Sequence, residues 1–445
     1  MSSNIAVKPA KKISGRVKMP GDKSISHRAV FLGALSEGLT EVENLSAGED
    51  CLRSIKAFQN LGIRIDPVRK VEKESSSGFS TQSNNSTLKI YGQGLSGLKE
   101  PVQILDLGNS GTSIRLLLGV LSGQNFCTVL TGDESLQNRP MRRVTGPLEM
   151  MGAEIVGREK GNLLPLVIKG GKITAIDYKL PVASAQVKSA ILLAALYANG
   201  ETRVEEPAKS RDHTERMLSF FGAEVTVNGL RVGIKGKPSL SRGKISVPGD
   251  ISVAAFFLVA AGLLPSSSLE IECVGLNPTR CGIIEALQKM GMEVTAEITS
   301  EDFEPRGNIK AAGSKLKGIT LKGEIIPRII DEIPVLLVAA TQAEGRTVFE
   351  DIGELRVKET DRIQSMTSNL IKMGARIEEE NDRVIVIGPT ALKGTTVESF
   401  GDHRTAMSMI VAGLIAQGET TILNTDCIKT STPLFWENLS RLITF

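Results

Sequence analysis

Two kinds of apolar helix alternate with strands along this chain, and the pattern repeats six times. One kind is apolar nearly all round, as in Ile191–Leu196, Ala254–Val259, Pro334–Ala339 and Met409–Leu414. A helix without a polar face offers no side to water, so these helices are predicted to be buried. Each follows a strand, a turn carrying Pro, Gly or a small polar residue, and a Ser, Thr or Asp at the N-cap position. Four copies are expected to close this helix on Gly with Thr two places on, at Gly38–Thr40, Gly200–Thr202, Gly345–Thr347 and Gly418–Thr420. The second kind, such as Thr214–Phe221 and Thr279–Met290, has a polar face and ends on Gly before an alternating strand. That glycine recurs at Gly62, Gly152, Gly222, Gly291 and Gly374, and a sixth copy, from Glu398, runs out at Phe445. Punctuation in register over so long a period marks one supersecondary unit duplicated repeatedly. The predicted fold is α/β: six βαβαββ-type units, three per domain, with parallel buried helices inside and sheets outside, a two-domain inside-out α/β barrel.

The related turns Met19-Pro20-Gly21 and Val247-Pro248-Gly249 sit where two such halves would join. We place one domain at 21–245 and the other at 1–20 plus 246–445, with hinges near Pro20 and Pro248. The low-complexity stretch Glu74–Thr87 reads as a mobile surface loop. The best-matched copies run P-G-D-K-S-I-S-H-R from Pro20 and P-G-D-I-S-V-A-A-F from Pro248. What they share is turn and cap. They differ at Lys23 against Ile251, His27 against Ala255 and Arg28 against Phe256, so the cations are not expected to be there for folding, and Lys23 and Arg28 are expected to bind something anionic.

Other copies carry cations near the same helix ends: Arg115 and Arg139, Lys188 and Arg211, Lys358 and Arg362, and Arg404. The fourth copy contributes almost none. Helix N-termini attract anions through their free N–H groups and the macrodipole, and a guanidinium fork suits phosphate and carboxylate. Each cation alone is more simply a solvated charge; nine at one recurring position are not. Asp331 stands where other copies place a cap, so it is either an N-cap or, beside a polyanion site, a general base. Lys358 and Arg362 are spaced to share a helix face beside Glu359, an arrangement that an ion-pair cluster would also explain. Gly108–Thr112 resembles a phosphate-cradling turn, a weak signal by itself. His27, His213 and His403 have no metal-site spacing.

Composition narrows the class. In 445 residues, 41% hydrophobic and 23% charged, the net charge of +3 gives no footing for nucleic acid. The five cysteines show no C-x-x-C spacing, which fits a reducing cytoplasm and buried thiols. Met1–Lys12 has no apolar stretch of a secretory signal, and Val253–Leu264 is too short to span a bilayer.

Five ordered motifs together resemble the 5-enolpyruvylshikimate-3-phosphate synthase family: P-G-D-K-S-I-S-H-R at Pro20, L-G-N-S-G-T-S-I-R at Leu107, S-A-Q-V-K-S-A at Ser184, R-V-K-E-T-D-R at Arg356 and G-D-H-R at Gly401. The resemblance covers essentially the whole chain. It implies transfer of the enolpyruvyl group of phosphoenolpyruvate to shikimate 3-phosphate, in the pathway to chorismate, with no metal or organic cofactor. It implies that Ser24, Arg28, Ser184, Ala185, Gln186, Arg211 and Lys358 hold shikimate 3-phosphate, with Ser210 an extra contact. Gly111, Arg139, Gln186, Arg362 and Arg404 would hold phosphoenolpyruvate, and Lys23 would lie between the two substrates. Asp331, which would also touch the sugar acid, would take its hydroxyl proton, and Glu359 or Lys23 would protonate the enol. The resemblance further implies a cytoplasmic monomer without nucleic-acid or membrane partners, and sensitivity to glyphosate, because Gly111 leaves room at the enol-binding turn. Leu116 stands where many members carry Pro, and Thr430 where many carry a phosphate-binding Lys, with Lys429 adjacent but out of register; this looks like the family's second sequence class. Two rivals carry less. The UDP-N-acetylglucosamine enolpyruvyl transferase commonly has a loop Cys, absent from Gly132–Asn138, with Cys127 the nearest and expected in a strand. A nucleic-acid clamp needs cations in every unit, and the fourth copy's Ile251-Ser-Val-Ala-Ala-Phe argues against it.

Roles drawn from both domains lead to closure. Small-angle scattering is expected to show a more compact particle with saturating shikimate 3-phosphate; an unchanged radius, from an open free form, would count against it.

Overall fold

The computed structural model describes residues 3–68, 87–241 and 243–445. Apart from Thr87, the stretch read as a mobile loop lies outside them. The chain divides into two compact units, Gly21–Val247 and Met1–Pro20 with Pro248–Phe445.

In the unit Gly21–Val247, three four-stranded sheets follow one plan. The second copy shows it whole: strand Leu105–Asp106, inner helix Gly111–Ser122, strand Cys127–Thr131, outer helix Arg142–Met151, then strands Glu154–Gly157 and Leu163–Lys169. The first strand pairs parallel to the second, and the last two run antiparallel. The first copy takes its parallel edge from Lys244–Ser246, at the far end of the unit. The inner helices Lys23–Leu35, Gly111–Ser122 and Ala185–Ala195 are buried along most of their length. Small residues let them approach: a Cβ on Gly119 would lie 2.3 Å from the Ala190 carbonyl oxygen.

In the other unit the inner helices are Ile251–Leu263, Ile333–Gln342 and His403–Ile415. Its fourth-copy sheet takes the N-terminal strand Lys12–Lys18 parallel to Ser268–Gly275. The truncated sixth copy has no closing strand pair of its own. Ile5–Val7 fills that place, antiparallel to Thr420–Leu423, so the N-terminus completes the last repeat.

Five outer helices end as the glycine pattern predicts. Gly62, Gly152, Gly222, Gly291 and Gly374 all take positive φ. The next residue donates back across the last turn in every case: Ile63 to Phe58, Ala153 to Leu148, Ala223 to Leu218, Met292 to Leu287 and Ala375 to Leu370, the Schellman pattern. The observed helix Gly282–Lys289 is shorter than the expected one, and His213–Phe220 lies one residue earlier than expected. The Gly-x-Thr sites are a correction. The inner helices stop at Leu35, Ala195, Gln342 and Ile415, before Gly38, Gly200, Gly345 and Gly418. Three leave through an extended residue, Ser36, Ala343 or Ala416, so these glycines serve the entry into the next strand. The threonines Thr40, Thr202, Thr347 and Thr420 are fully buried in those strands. The buried-thiol expectation also fails: only Cys51 is buried, and Cys127 and Cys273 are exposed.

Candidate active site

Because the inner helices are buried all round, their first turns are where polar side chains can emerge. In Lys23–Leu35 the partly exposed residues are Lys23 and Ser24; in Gly111–Ser122, Thr112 and Arg115; in Ala185–Ala195, Ala185 and Gln186. Asp22 caps the first helix by accepting from Ile25 N, 2.9 Å. Lys23 Nζ then reaches the largely buried Asp50, 2.6 Å from its Oδ2. Arg28 is buried and donates to Thr214 Oγ1 (2.6 Å), Ser189 Oγ (2.8 Å) and the Ser24 carbonyl (2.9 Å). Neighbouring His27 is a structural link: its Nδ1 lies 2.8 Å from Ser54 Oγ, which lies 2.8 Å from Ser113 Oγ on the next inner helix. Burial, then Lys23 and Arg28, hold its imidazole well below the ordinary range, so it stays neutral near pH 7.

Ser110 caps the second inner helix, and Gly111 opens it. A Cβ on Gly111 would stand 2.9 Å from Arg115 Nη1 and 3.4 Å from Arg139 Nη1. Arg139 is steadied by Asn109 Oδ1 (2.5 Å) and Ser135 Oγ (2.9 Å). Arg115 donates to Gln186 Oε1 (2.6 Å), and Gln186 donates to Thr112 Oγ1 (3.0 Å). Ser184 caps the third inner helix, and Arg211 lies in the turn before His213–Phe220.

The unit that holds Asp331 gathers its charges more tightly. Asp331 does not cap Ile333–Gln342; the N-cap position is Glu332, without a side-chain cap bond. Its carboxylate instead meets three guanidinium groups: Arg362 Nη1 at 3.2 Å, Arg404 Nη2 at 3.6 Å and Arg280 Nη1 at 3.8 Å. Arg404 also donates to the Asp331 carbonyl, 2.9 Å. Arg362, 2% exposed, bonds Asp402 (2.8 Å) and Glu359 (2.5 Å) as well, and these carboxylates outweigh burial to raise its pKa further. Lys358 and Arg362 do not share a helix face, because Lys358 is extended after the turn Gly353–Val357 and the helix begins at Arg362, capped by Asp361. Burial is the largest influence on Lys358 and lowers its pKa, against the pull of Asp331, Glu354 and Glu359. Lys429 pairs with Asp426 at 2.6 Å, and Thr430 donates to the Cys427 carbonyl.

The sequence profile of EPSP synthase (3-phosphoshikimate 1-carboxyvinyltransferase) matches residues 7–439. A relative from Desulforamulus reducens named 3-phosphoshikimate 1-carboxyvinyltransferase is 51% identical, with 99% of each chain covered. The chain belongs to the EPSP synthase family. The solved EPSP synthase from Acinetobacter baumannii is 42% identical, covering 99% of this chain and 98% of that one, with a TM-score of 0.86. The enolpyruvyl transferase NikO from Streptomyces tendae, 16% identical over 99% of this chain and 98% of its own, has a TM-score of 0.76 and shares the fold. The fold is the inside-out α/β arrangement that the repeats predicted. Among the described residues, no helix is long and apolar enough to cross a membrane.

Within the family frame, two readings of the cations change. Lys188 is not available to an anionic substrate. It is fully buried between Glu206 (2.7 Å) and Glu215 (2.6 Å), and although burial alone would lower its pKa, Glu215 and Glu206 together raise it. Conversely, the fourth copy does contribute a cation, Arg280, 3% exposed and beside Asp331. The signal was register: Gly291 follows Arg280 by 11 residues, as Gly222 follows Arg211. Asp50 and Glu332 were also missed, and no spacing singles them out.

Lys188→Met leaves two buried carboxylates without their cation. Denaturant unfolding is expected to show a loss of roughly 3–5 kcal/mol, with shikimate 3-phosphate affinity little changed in the folded fraction. A variant of unaltered stability but weakened affinity would return Lys188 to the substrate site.

Proposed function

We propose that this chain moves the enolpyruvyl group of phosphoenolpyruvate to the 5-hydroxyl of shikimate 3-phosphate, releasing phosphate, as a cytoplasmic enzyme working as a monomer. The observation that carries the mechanism is Asp331, whose carboxylate is held among guanidinium groups rather than spent on a helix cap. A carboxylate held in place by charged neighbours is oriented to meet a substrate hydroxyl as a general base. In this reading Ser24, Arg28, Ser184, Ala185, Gln186, Arg211 and Lys358 hold shikimate 3-phosphate. Gly111, Arg139, Gln186, Arg362 and Arg404 hold phosphoenolpyruvate, with Lys23 between the two.

Asp331 takes the 5-hydroxyl proton as that oxygen bonds to C2 of the enol, while Glu359 or Lys23 delivers a proton to C3. The product of this step is a tetrahedral intermediate. It collapses as the C2–phosphate bond breaks and a C3 proton is lost, which restores the double bond. Arginines suit both substrates because a planar fork meets phosphate or carboxylate with two parallel hydrogen bonds.

Two variants separate chemistry from binding. Asp331→Ala is expected to lower kcat by roughly 100-fold or more with ground-state binding largely kept, whereas Arg28→Ala should weaken binding of shikimate 3-phosphate. A full rate in the Asp331 variant would sink the base assignment.

Gly111 supports glyphosate sensitivity on steric grounds. Its φ is not positive, so Ala is conformationally allowed, and the added methyl meets the ends of Arg115 and Arg139 rather than backbone. Glyphosate is longer than phosphoenolpyruvate and is crowded first; one methyl clash shifts discrimination by ~1–3 kcal/mol. Gly111→Ala is expected to raise the inhibition constant for glyphosate well above the accompanying rise in KM for phosphoenolpyruvate. Parallel titrations decide it, and an unaltered inhibition constant defeats the argument.

A further inference from the structure

Two of the three arginines around Asp331 are assigned to phosphoenolpyruvate, which makes the third the one to explain. Arg280 lies in the turn before Gly282–Lys289 and is almost fully buried. Its guanidinium bonds Ser252 Oγ, in the first turn of Ile251–Leu263, and stands 3.8 Å from Glu332 Oε1 and 4.0 Å from Asp250 Oδ1. Glu332, 1% exposed, accepts from the same Ser252 hydroxyl. Glu332 also carries the first backbone bond of the next inner helix, from Leu336 N at 3.0 Å. Arg280, Ser252 and Glu332 therefore form a brace linking the starts of two inner helices, and Asp331 is the residue covalently attached to it.

We propose that Arg280 is a positioning residue for the transfer reaction: through Glu332 and Ser252 it fixes the backbone that carries Asp331, and it remains the carboxylate's cation while Arg362 and Arg404 engage substrate. This rests on Asp331 being the base. The division of labour follows from partners, since exposure separates Arg280, at 3%, from Arg404, at 13%, but not from Arg362, at 2%. The Arg280 contacts just described are all to protein groups that the mechanism does not use, apart from Asp331 itself.

The pH behaviour of Asp331 has identifiable sources. It faces Arg280 from its turn, Arg362 and Lys358 from the segment around the helix Arg362–Lys372, and Arg404 from His403–Ile415. Glu359 and Asp402 share Arg362, and Glu332 shares Arg280 and Arg404. Removing Arg280 takes away one cation and leaves the carboxylates, so the pKa of the base rises.

Arg280→Gln, Arg280→Lys, Glu332→Gln and the double variant Arg280→Gln/Glu332→Gln test this beside Asp331→Asn, with folding followed by thermal melts. Arg280→Gln is expected to lower kcat roughly 10- to 100-fold with KM for both substrates little changed. The acidic limb of its kcat profile should move to higher pH, and Lys should restore part of both. The double variant removes the buried Arg280–Glu332 charges together and leaves Asp250 its cap bond from Ser252 N, so it keeps the test alive if Arg280→Gln does not fold; it too should be slow with a shifted limb. A folded Arg280→Gln or double variant with wild-type kcat and an unmoved acidic limb overturns the proposal. If Asp331→Asn is slow in that same comparison, the base assignment stands and only the positioning role falls. If Asp331→Asn keeps its rate, both fall.

Discussion

The inner helices have no polar face, and most of the molecule's design follows from that. A helix such as Ile251–Leu263, buried from Ile251 to Gly262, cannot carry a charged side chain along its length without the desolvation cost of an isolated ion. Polar chemistry is displaced to the first turn and to the loop that leads into it, where free N–H groups also favour anions. This is why Lys23, Gly111, Ala185, Gln186 and Arg404 all sit at the beginnings of helices. It is also why a sixfold repeat can serve one reaction: the repeated part is packing, and the variable part is the handful of positions at which a side chain can emerge.

The same constraint decides which parts of the structure could be read from the chain. Outer-helix ends were readable because glycine in the left-handed region and the returning backbone bond are local events, complete within a few residues. The Gly-x-Thr sites misled because an identical residue, Gly with positive φ, serves a strand entry as well as a helix end; Gly38 lies inside Glu37–Glu43. The completion of the sixth repeat by Ile5–Val7 was not readable, since it joins residues from opposite ends of the chain. Membership in the EPSP synthase family was readable from five motifs, because they occur in order along essentially the whole sequence.

Charge was harder to read than packing. A lysine at a helix start looks the same in sequence whether a substrate or a glutamate will neutralise it, and Lys188 differs from Lys23 only in what surrounds it. Lys188 is enclosed by Glu206 and Glu215, whereas Lys23 keeps a fifth of its side chain exposed beside Asp50. Arg280 was overlooked for the opposite reason. Comparing copies at the helix start finds Ile251 and suggests a unit without cations, while the fourth copy places its guanidinium one loop later, in register with Arg211. A cap residue and a carboxylate held among cations are likewise indistinguishable in the chain at Asp331; in the structure the N-cap position falls on Glu332, and Asp331 faces Arg280, Arg362 and Arg404.

The remaining question is why the cluster around Arg362 holds so many carboxylates when its proposed ligand is an anion. An isolated set of buried guanidinium groups would repel one another and pay for desolvation with no partner. Asp402 and Glu359 supply that partner and fix the fork's direction by charge-assisted bonds. The cations are thereby oriented before any ligand arrives, which lowers the reorganisation that binding would otherwise require. Lys358 stands on the other side of the balance. Burial leaves its ammonium below the ordinary lysine range even with Asp331, Glu354 and Glu359 pulling it up, so the protonated form is less favoured there than in water. Lys358 is already paired with Glu354 at 3.5 Å, and in the proposed reading a phosphate dianion beside it would add a pull of the same sign as those carboxylates.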